Sequence, residues 1–346
     1  MEKGDVILSV RNLDVKFNLR GHILHAIRDV SFDVYKGESL AIVGESGSGK
    51  SVLCKACMGL LDANGSVAGG EIIYYGMGDG AQGGVDMAKF KRDKDWLAIR
   101  GGEIAMVMQD PMTSLNPLKT IGAQVMEAVR IHQRLRGAQL REAAMGYLSD
   151  VGISNVKQRF RQYPHEFSGG MRQRVVIAIA MACRPKILIC DEPTTALDVT
   201  IQAQVLELIK AMQEKYHLTT IYITHDLGVV ANVADRITVM YAGDLVEIGQ
   251  CDEMFYDPRH PYTWALLSSL PQLGVKGGEL YSIPGTPPNL FQEVLGDAFA
   301  PRNMRSLRID HLQRPPFFEV TPTHKARTWL LDPRAPDVKP PWAGRE

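Results

Sequence analysis

The sequence is short of cysteine and has no long apolar segment. Five cysteines among 346 residues are an odd number, which fits a reducing compartment better than a disulfide framework. The longest apolar runs, such as Val175 to Cys183, are far shorter than the roughly 20 residues that a membrane-spanning helix needs. The N-terminal residues lack a basic stretch followed by an apolar core, so we expect no secretion signal. These absences predict a protein of the cytoplasm.

An excess of charge of either sign is also missing. Lys and Arg number 39 and so do Asp and Glu, which gives a formal net charge of zero. A protein that binds the phosphate backbone of nucleic acid usually carries a positive field, so nucleic acid is not an expected partner. The hydrophobic share is 45% and the charged share is 23%, and both values are typical of globular proteins.

The chain begins with patterns typical of β-strands. The segments ILSVRNLDVKF and AIRDVSFDV alternate apolar and polar residues, which predicts paired antiparallel strands. The short apolar segment SLAIVG predicts a further strand that runs into a glycine-rich turn. From Asp62 to Gly102 glycine and polar residues dominate, and we expect loops around short strands there.

Alternating helices and strands follow. Apolar residues recur at helical spacing between Gly122 and Tyr163, so we predict a helical subdomain over about residues 110–170. The apolar segments ILICDE and TTIYITH are separated by a helical pattern, which indicates a parallel sheet with crossover helices. Beyond about Leu270 proline becomes frequent and periodicity fades. We therefore predict an α/β domain over residues 1–268 and an irregular C-terminal extension over residues 269–346.

A phosphate-binding loop follows the SLAIVG strand. Residues 44–51 read GESGSGKS and fit the Walker A pattern G-x-x-x-x-G-K-[ST] between a strand and a helix. Glycines let successive N–H groups point inward around an anion, and the following helix adds its positive dipole end. Lys50 can reach the β- and γ-phosphates, and the Ser51 hydroxyl can bind Mg²⁺. The predicted nucleotide-binding residues of this loop are Gly44, Glu45, Ser46, Gly47, Ser48, Gly49, Lys50, Ser51 and Val52.

Two adjacent carboxylates end the apolar strand ILICDE. A charge at a strand end can face Mg²⁺ without being stranded in the core. Asp191 is the predicted metal ligand, through water, and Glu192 is the predicted general base that polarises the attacking water. An apolar run that ends in Asp-Glu is a weak signal alone, and the phosphate loop makes it a strong one.

A segment shortly before the Asp-Glu strand narrows the family. Residues 167–174 read FSGGMRQR and resemble the LSGGQ signature of ABC-type ATPases, with Phe and Met in place of Leu and Gln. The resemblance implies a P-loop NTPase fold of the ABC type, with an antiparallel β subdomain, a helical subdomain and the C-terminal extension. In that family the serine and glycines contact the γ-phosphate of ATP bound to the opposite subunit, at a helix N-terminus. The matching residues are Ser168, Gly169, Gly170 and Met171.

The remaining elements of an ABC ATPase occur in the expected order. Gln109 resembles the Q-loop glutamine that contacts Mg²⁺ and water, and residues 195–198 resemble the D-loop, which ends at Asp198. His225 resembles the switch histidine that contacts the γ-phosphate. Phe17 is the predicted aromatic that stacks on adenine, although a strand Phe in the core is nearly as common.

Over essentially the whole chain the sequence is most similar to the D-type ATPase subunits of oligopeptide permeases. The segments QDPMTSLNP, CDEPTTALDVTIQAQ, THDLGVVA and DPRHPYTWALLSSLPQL carry this resemblance. It implies ATP with Mg²⁺ as cofactors, and a location on the cytoplasmic face of the membrane. It also implies a second ABC ATPase subunit, two integral membrane permeases and an extracytoplasmic peptide-binding protein as partners.

The C-terminal extension departs from many of these relatives, which carry a cysteine quartet that can hold an iron–sulfur cluster. The matching positions here are Asp297, Asn303, Asp310 and Thr328. Oxygen ligands do not replace the thiolates that such clusters require, so we expect no cluster. We expect solvated surface positions for Asp297, Asp310, His311 and His324, and packing through Phe317, Phe318 and Trp329.

Other functions share the same motifs. A soluble ABC ATPase of DNA repair or translation usually carries two cassettes, long coiled coils or basic arms, and no such feature is visible in this sequence. A module that only binds ATP would be expected to lack Glu192 or His225, and both are present. An importer of nickel or another small solute remains open, because substrate choice should reside in the binding protein and permeases.

Overall fold

The chain folds around two β-sheets in a computed structural model that describes residues 5–77, 83–194, 198–270 and 283–341. The smaller sheet contains β1 (Val6–Leu19), β2 (His22–Tyr35), β4 (Gly65–Tyr74) and β5 (Val85–Asp86). The larger sheet contains β3 (Ser39–Val43), β6 (Ile104–Val107), β7 (Ile187–Asp191), β8 (Thr219–Thr224), β9 (Arg236–Tyr241), β10 (Asp244–Gln250), β11 (Phe318–Glu319) and β12 (Lys325–Ala326). The smaller sheet has the order β2-β1-β4-β5, and the larger has the order β11-β12-β10-β9-β3-β8-β7-β6.

Helices cover the larger sheet and form the predicted helical subdomain. The α-helices in the described residues are α1 (Lys50–Cys57), α2 (Asp93–Leu97), α3 (Pro111–Ser114), α4 (Ile121–Gln133), α5 (Gly137–Asp150), α6 (Val156–Arg159), α7 (Gly169–Ala182), α8 (Val199–Tyr216), α9 (Leu227–Val230), α10 (Cys251–Tyr256) and α11 (Pro261–Ser268). The α3–α7 segment confirms the predicted helical insertion. None of the helices in the described ranges combines the length and apolar character needed to cross a membrane.

The central strands are buried on both faces and consist mainly of apolar residues. Every residue of β3, β7 and β8 is buried, as expected for parallel strands inside an α/β protein. One apolar cluster joins one face of this sheet to α1 and the smaller antiparallel sheet. A second cluster joins the other face to the helical subdomain and α8. The smaller and larger sheets therefore share a core.

The topology brings the predicted motifs to one edge. Strands β6, β7, β8, β3 and β9 run parallel to one another. Their carboxyl ends therefore lie together, where open α/β sheets bind ligands. The phosphate loop follows β3, and Asp191 is the last residue of β7. His225 follows β8, whose last residue is Thr224.

The prediction of loops around short strands from Asp62 to Gly102 is wrong for β4, which has ten residues. The strand forms along β1 because its glycines tolerate a close approach. At Gly70, where φ is +85°, an added Cβ would lie 2.4 Å from the carbonyl oxygen of Asn12. Glycine frequency alone does not reveal that a neighbouring strand has a bulge at this position.

The C-terminal extension is irregular, as predicted, but it also completes the larger sheet. β12 pairs antiparallel with β10, with Glu247 opposite Ala326, and β11 pairs with β12. Phe318 and Trp329 are in edge contact with ring centroids 6.1 Å apart. The indole N–H of Trp329 donates to the carbonyl of Gln313 at 2.8 Å.

The expectation of solvated Asp297, Asp310 and His324 is wrong, since all three are buried with 7%, 1% and 1% exposure. Each has at least one hydrogen-bond partner, although Asp310 Oδ1 and His324 Nδ1 are buried without one among the described residues. Asp297 accepts from the Phe299 N–H at 2.9 Å, and Asp310 accepts from the Leu307 N–H at 2.6 Å. His324 Nε2 pairs with the buried Glu247 at 2.8 Å. His311 is exposed, as expected.

Candidate active site

The phosphate loop connects β3 to α1 in a backbone conformation that requires glycine. Gly44 has a φ of +155°, and an added Cβ there would lie 2.1 Å from the carbonyl oxygen of Met240. Gly49 precedes α1 with a φ of +104°, and its Cβ would lie 2.9 Å from the side chain of Ile27. Side chains at these two positions would force the loop away from the sheet. The bare backbone keeps its amides available to an anion at the helix N-terminus.

Lys50 is the first residue of α1 and is only 4% exposed. Its ammonium group donates to the carbonyls of Gly44 at 2.7 Å and Glu45 at 2.9 Å. Burial lowers the pKa of Lys50, and the carboxylates of Glu192, Asp191 and Glu45 oppose that shift. The ammonium group is thus held inside the loop by neutral acceptors, and an anion in the loop would be a better partner.

Ser51 and Asp191 meet between the loop and β7. The Ser51 hydroxyl donates to Asp191 Oδ1 at 2.9 Å. Burial raises the pKa of Asp191, and the bond from Ser51 acts against that rise. A hydroxyl and one carboxylate suit Mg²⁺, which takes few protein ligands and is otherwise bound by substrate phosphates and water. In the described ranges no group of three or more His, Cys, Asp or Glu side chains is arranged to hold a metal ion.

The carboxylate of Glu192 lies between two predicted site residues. Gln109 Nε2 donates to its Oε2 at 3.0 Å, and His225 Nδ1 lies 3.3 Å from its Oε1. The three residues follow β7, β6 and β8, which are neighbours in the sheet. Glu192 has a φ of +45°, while its N–H donates to the carbonyl of Ile223 at 2.9 Å. This conformation is uncommon for a residue with a side chain and is frequent at functional sites.

The SGG segment begins α7 in the helical subdomain. The Ser168 hydroxyl caps this helix and accepts from the Met171 N–H at 3.4 Å. An added Cβ on Gly170 would lie 2.6 Å from the side chain of Ile201 in α8. Asp198 caps α8 and accepts from the Ile201 N–H at 3.0 Å. The predicted signature and Asp198 therefore meet around Ile201, whereas the preceding D-loop residues 195–197 lie outside the described residues.

Phe17 lies on β1, opposite Leu24 of β2 and Gly65 of β4. An added Cβ on Gly65 would lie 2.5 Å from the ring. The ring therefore packs over bare backbone in the smaller sheet and is partly buried. Its stacking on adenine stays a prediction.

Two further residues contact the phosphate loop, and the sequence analysis did not single them out. The Glu45 N–H donates to the hydroxyl of Tyr262 at 2.7 Å. Arg302 binds both carboxylate oxygens of Glu45, at 2.6 and 3.0 Å. Arg302 is 257 positions from Glu45, and no local pattern links residues that are so far apart in sequence.

Similarity to known proteins extends over the whole chain. The oligopeptide transport ATP-binding protein AmiE of Streptococcus pneumoniae is 55% identical over 340 residues, which cover 98% of this chain and 94% of the relative. The chain belongs to the ABC transporter ATP-binding proteins. The oligopeptide transport ATP-binding protein OppD of Bacillus subtilis is 52% identical, with coverage of 97% and 92%. The dipeptide transport ATP-binding protein DppD of Lactococcus lactis is 50% identical, with coverage of 96% and 93%.

Two family models match this ABC ATPase. The ABC transporter model matches residues 27–195, and the model of the oligopeptide/dipeptide transporter C-terminal region matches residues 246–306. Among solved structures, cbiO1 from Clostridium perfringens, part of the ABC transporter complex cbiONQ, has a TM-score of 0.61 at 28% identity and covers 73% of this chain and 92% of its own. The ATP-binding cassette MJ0796, a dimer with ADP and Pi, has a TM-score of 0.59 at 26% identity, with coverage of 71% and 99%. These similarities confirm the ABC-type P-loop fold.

Proposed function

We propose that this ABC ATPase couples MgATP binding and hydrolysis to the uptake of oligopeptides through partner permeases. The observation that carries this proposal is the Glu192 carboxylate held between Gln109 and His225 beside the phosphate loop. The names of the relatives, which concern oligopeptide and dipeptide transport, support peptides as the cargo. The similarity to the oligopeptide/dipeptide transporter C-terminal region supports the same cargo.

The phosphate loop binds the nucleotide in this proposal. Residues 44–52 surround the phosphates and bind them through backbone amides other than the Glu45 N–H, which donates to Tyr262. The Lys50 ammonium turns from the loop carbonyls to the β- and γ-phosphates. Phe17 stacks on adenine through its aromatic ring, which is only partly buried. The left-handed glycines and the buried ammonium group support this assignment.

Ser51, Asp191 and Gln109 would hold Mg²⁺, directly or through water. The hydrogen bond between Ser51 and Asp191 already brings two hard oxygen ligands together. When bound, Mg²⁺ neutralises charge on the phosphate oxygens and so assists the departure of the leaving group.

Glu192 is the general base of the proposed hydrolysis. Its carboxylate accepts a proton from the attacking water, while Gln109 and His225 fix the orientation of the two carboxylate oxygens. His225 also contacts the γ-phosphate. Strand ends and short turns hold all three side chains, so their mutual geometry is set before the nucleotide binds.

A second ABC ATPase subunit completes the proposed site. Ser168, Gly169, Gly170 and Met171 at the start of α7 contact the nucleotide in that partner's phosphate loop. Asp198 lies next to this segment across Ile201, as expected of a D-loop at the same subunit interface. Closure of the two subunits around ATP and their separation after hydrolysis would switch the permeases between outward and inward access.

The proposed location of the protein is the cytoplasmic face of the cell membrane, where two integral membrane permeases hold it. An extracytoplasmic peptide-binding protein would deliver the cargo, and nucleic acid has no part in the cycle. The chain divides into an ATPase domain over residues 1–268 and a C-terminal extension over residues 269–346. The two family models match separate parts of the chain, and the second match, residues 246–306, begins in β10 of the proposed ATPase domain and continues into the extension.

The proposal is tested by uptake of a labelled oligopeptide into vesicles that contain the reconstituted complex. Glu192→Gln is expected to bind ATP, to lose about 10²–10⁴-fold in hydrolysis and to stop uptake, because general-base catalysis supplies a factor of this size. Glu214→Gln makes the same chemical change on an exposed face of α8 and should leave both activities intact. Normal uptake by Glu192→Gln would remove the assigned base, and uptake of Ni²⁺ instead of peptide would change the cargo.

A further inference from the structure

Arg302 joins the C-terminal extension to the phosphate loop. Its side chain is 5% exposed, and its guanidinium group forms a two-pronged ion pair with Glu45. The same group donates to the Tyr241 hydroxyl at 3.1 Å and to the Pro284 carbonyl at 2.7 Å. Paired Arg–carboxylate bonds of this kind are strong and fix orientation. The hydrogen bonds with Glu45 raise the pKa of Arg302, so its charge is permanent.

Glu45 is held through its backbone as well as its side chain. Its N–H donates to Tyr262, and its carbonyl accepts from Lys50 at 2.9 Å. The contacts of this one loop residue therefore reach the P-loop lysine, α11 and the C-terminal extension. A displacement of Lys50, α11 or the extension would therefore also move Glu45 in the phosphate loop.

Other residues of the extension lie over the same loop. Pro287, Pro288 and Leu290 face residues 45–48 across a cavity of about 40 Å³. The Leu290 carbonyl accepts from the His25 N–H of β2 at 3.1 Å. The part of the extension from Pro287 to Arg302 thus contacts both the phosphate loop and the smaller sheet.

The negative charge of Glu45 gives a physical reason for the buried arginine beside it. A carboxylate within a loop that binds a polyphosphate repels its ligand, and low local polarity increases the repulsion. The ion pair neutralises this carboxylate and directs it toward the extension. Without Arg302, the carboxylate would be uncompensated and free to turn toward the anion.

We infer that Arg302 is a positioning residue for ATP, through which the C-terminal extension sets the nucleotide affinity of the phosphate loop. This inference rests on the proposed ATPase function. It assigns the extension an electrostatic role at the ATP site, in addition to its packing role. It also makes Glu45, which would otherwise weaken ATP binding, the point where the extension acts.

The test measures the Kd of MgATP by calorimetry for the full chain in complex with its partners, in a Glu192→Gln background that prevents turnover. Arg302→Met is expected to raise the Kd about tenfold, and the increase should shrink at high salt because screening weakens charge repulsion. Adding Glu45→Gln to Arg302→Met should restore the affinity to within about threefold. Arg302→Lys keeps the charge and should have a Kd closer to that of the parent complex than to a tenfold increase. If the methionine variant folds poorly, this variant takes its place, and a tenfold increase in its Kd would contradict an electrostatic role.

Arg314→Met provides the matched control. Arg314 is another partly buried arginine of the extension, but its partners are Asp29 and Asp244, outside the phosphate loop. This variant should unfold at lower temperature and keep the original Kd. Unchanged affinity in Arg302→Met, no rescue by Glu45→Gln, or an equal loss in Arg314→Met would overturn the inference. A parent complex that binds no MgATP would instead overturn the proposed function.

Discussion

The proposed ATP site and the C-terminal extension both bury charged side chains, but they compensate that burial in different ways. At the ATP site, Lys50 donates to loop carbonyls, and Asp191 accepts from a serine hydroxyl. In the extension, Arg314 forms ion pairs with Asp29 and Asp244 at 2.8 and 2.7 Å. Arg302 and Arg314 of the extension thus have charged partners, whereas Lys50 and Asp191 are bound to neutral groups.

This difference separates function from stability. A buried charge with a neutral partner lowers stability but gains strongly when a ligand of opposite charge arrives. A buried charge with a charged partner already has its compensation and joins two parts of the fold. Substitutions at the ATP site should therefore reduce activity more than stability. Substitutions in the extension should do the reverse, with Arg302 as the residue that belongs to both.

The largest expected effect is at Lys50. Lys50→Met should lower ATP hydrolysis on the order of 10²–10³-fold, because a cation directed at the phosphates is lost. The melting temperature without nucleotide should stay the same or rise, since burial lowers the pKa of Lys50 and so disfavours its charged form. Hydrolysis rates and thermal unfolding of the same preparation measure both effects. A large drop in melting temperature would contradict the proposal that substitutions at the ATP site reduce activity more than stability.

An intermediate effect is expected at Asp297 in the extension. Burial raises the pKa of this carboxyl to about 7, against about 3.9 in an unfolded chain. Between these values the folded chain binds more protons than the unfolded chain, so its stability falls as the pH rises from about 4 to 7. Asp297→Asn cannot ionise and should lose this decline. Above pH 7 the variant should be the more stable chain, by on the order of 1–3 kcal/mol.

Denaturant unfolding across this pH range measures the difference between Asp297→Asn and the original chain. Asp337→Asn, at an exposed position of the extension, is the control and should follow the original curve. A difference that does not vary with pH would show that Asp297 is ionised in the folded state. The extension would then contain a buried carboxylate that is ionised.

The smallest effect is expected at Arg334. Its side chain is 85% exposed and pairs with Asp332 at 2.8 Å. Water and salt screen such a pair, so Arg334→Met should leave both the melting temperature and hydrolysis unchanged. A clear loss of stability would mean that charge pairs stabilise the extension even at its surface. The extension would then differ still more from the ATP site, where Lys50 and Asp191 have neutral partners.

The sequence predicted which residues meet at the proposed ATP site better than it predicted the contacts of the extension, for a physical reason. The phosphate loop is a continuous segment whose glycines and lysine have fixed spacing, and strand ends bring Asp191 and Glu192 to it by topology alone. Gln109 and His225 needed the family resemblance. The contact between all of these groups follows from the parallel order of β6, β7, β8 and β3.

The extension was harder to predict because its contacts are distant in sequence. Composition indicated an irregular, proline-rich region, which is confirmed. It did not indicate that Asp297, Asp310 and His324 are buried, because polar residues are usually exposed and only their partners reveal the exception. The ion pair of Arg302 with Glu45 has no local pattern at all. The sequence therefore predicted the irregular conformation of the extension but not its contact with the phosphate loop.

The pairing of β12 with β10 has a consequence for the chain as a whole. An uncovered β10 would present a row of unpaired backbone groups, which invites pairing with another molecule. It would also leave the fully buried Glu247 without the imidazole of His324. A shortened chain that ends after α11 would therefore expose the edge of β10 and be prone to aggregation. By covering that edge, β12 protects the protein against self-association.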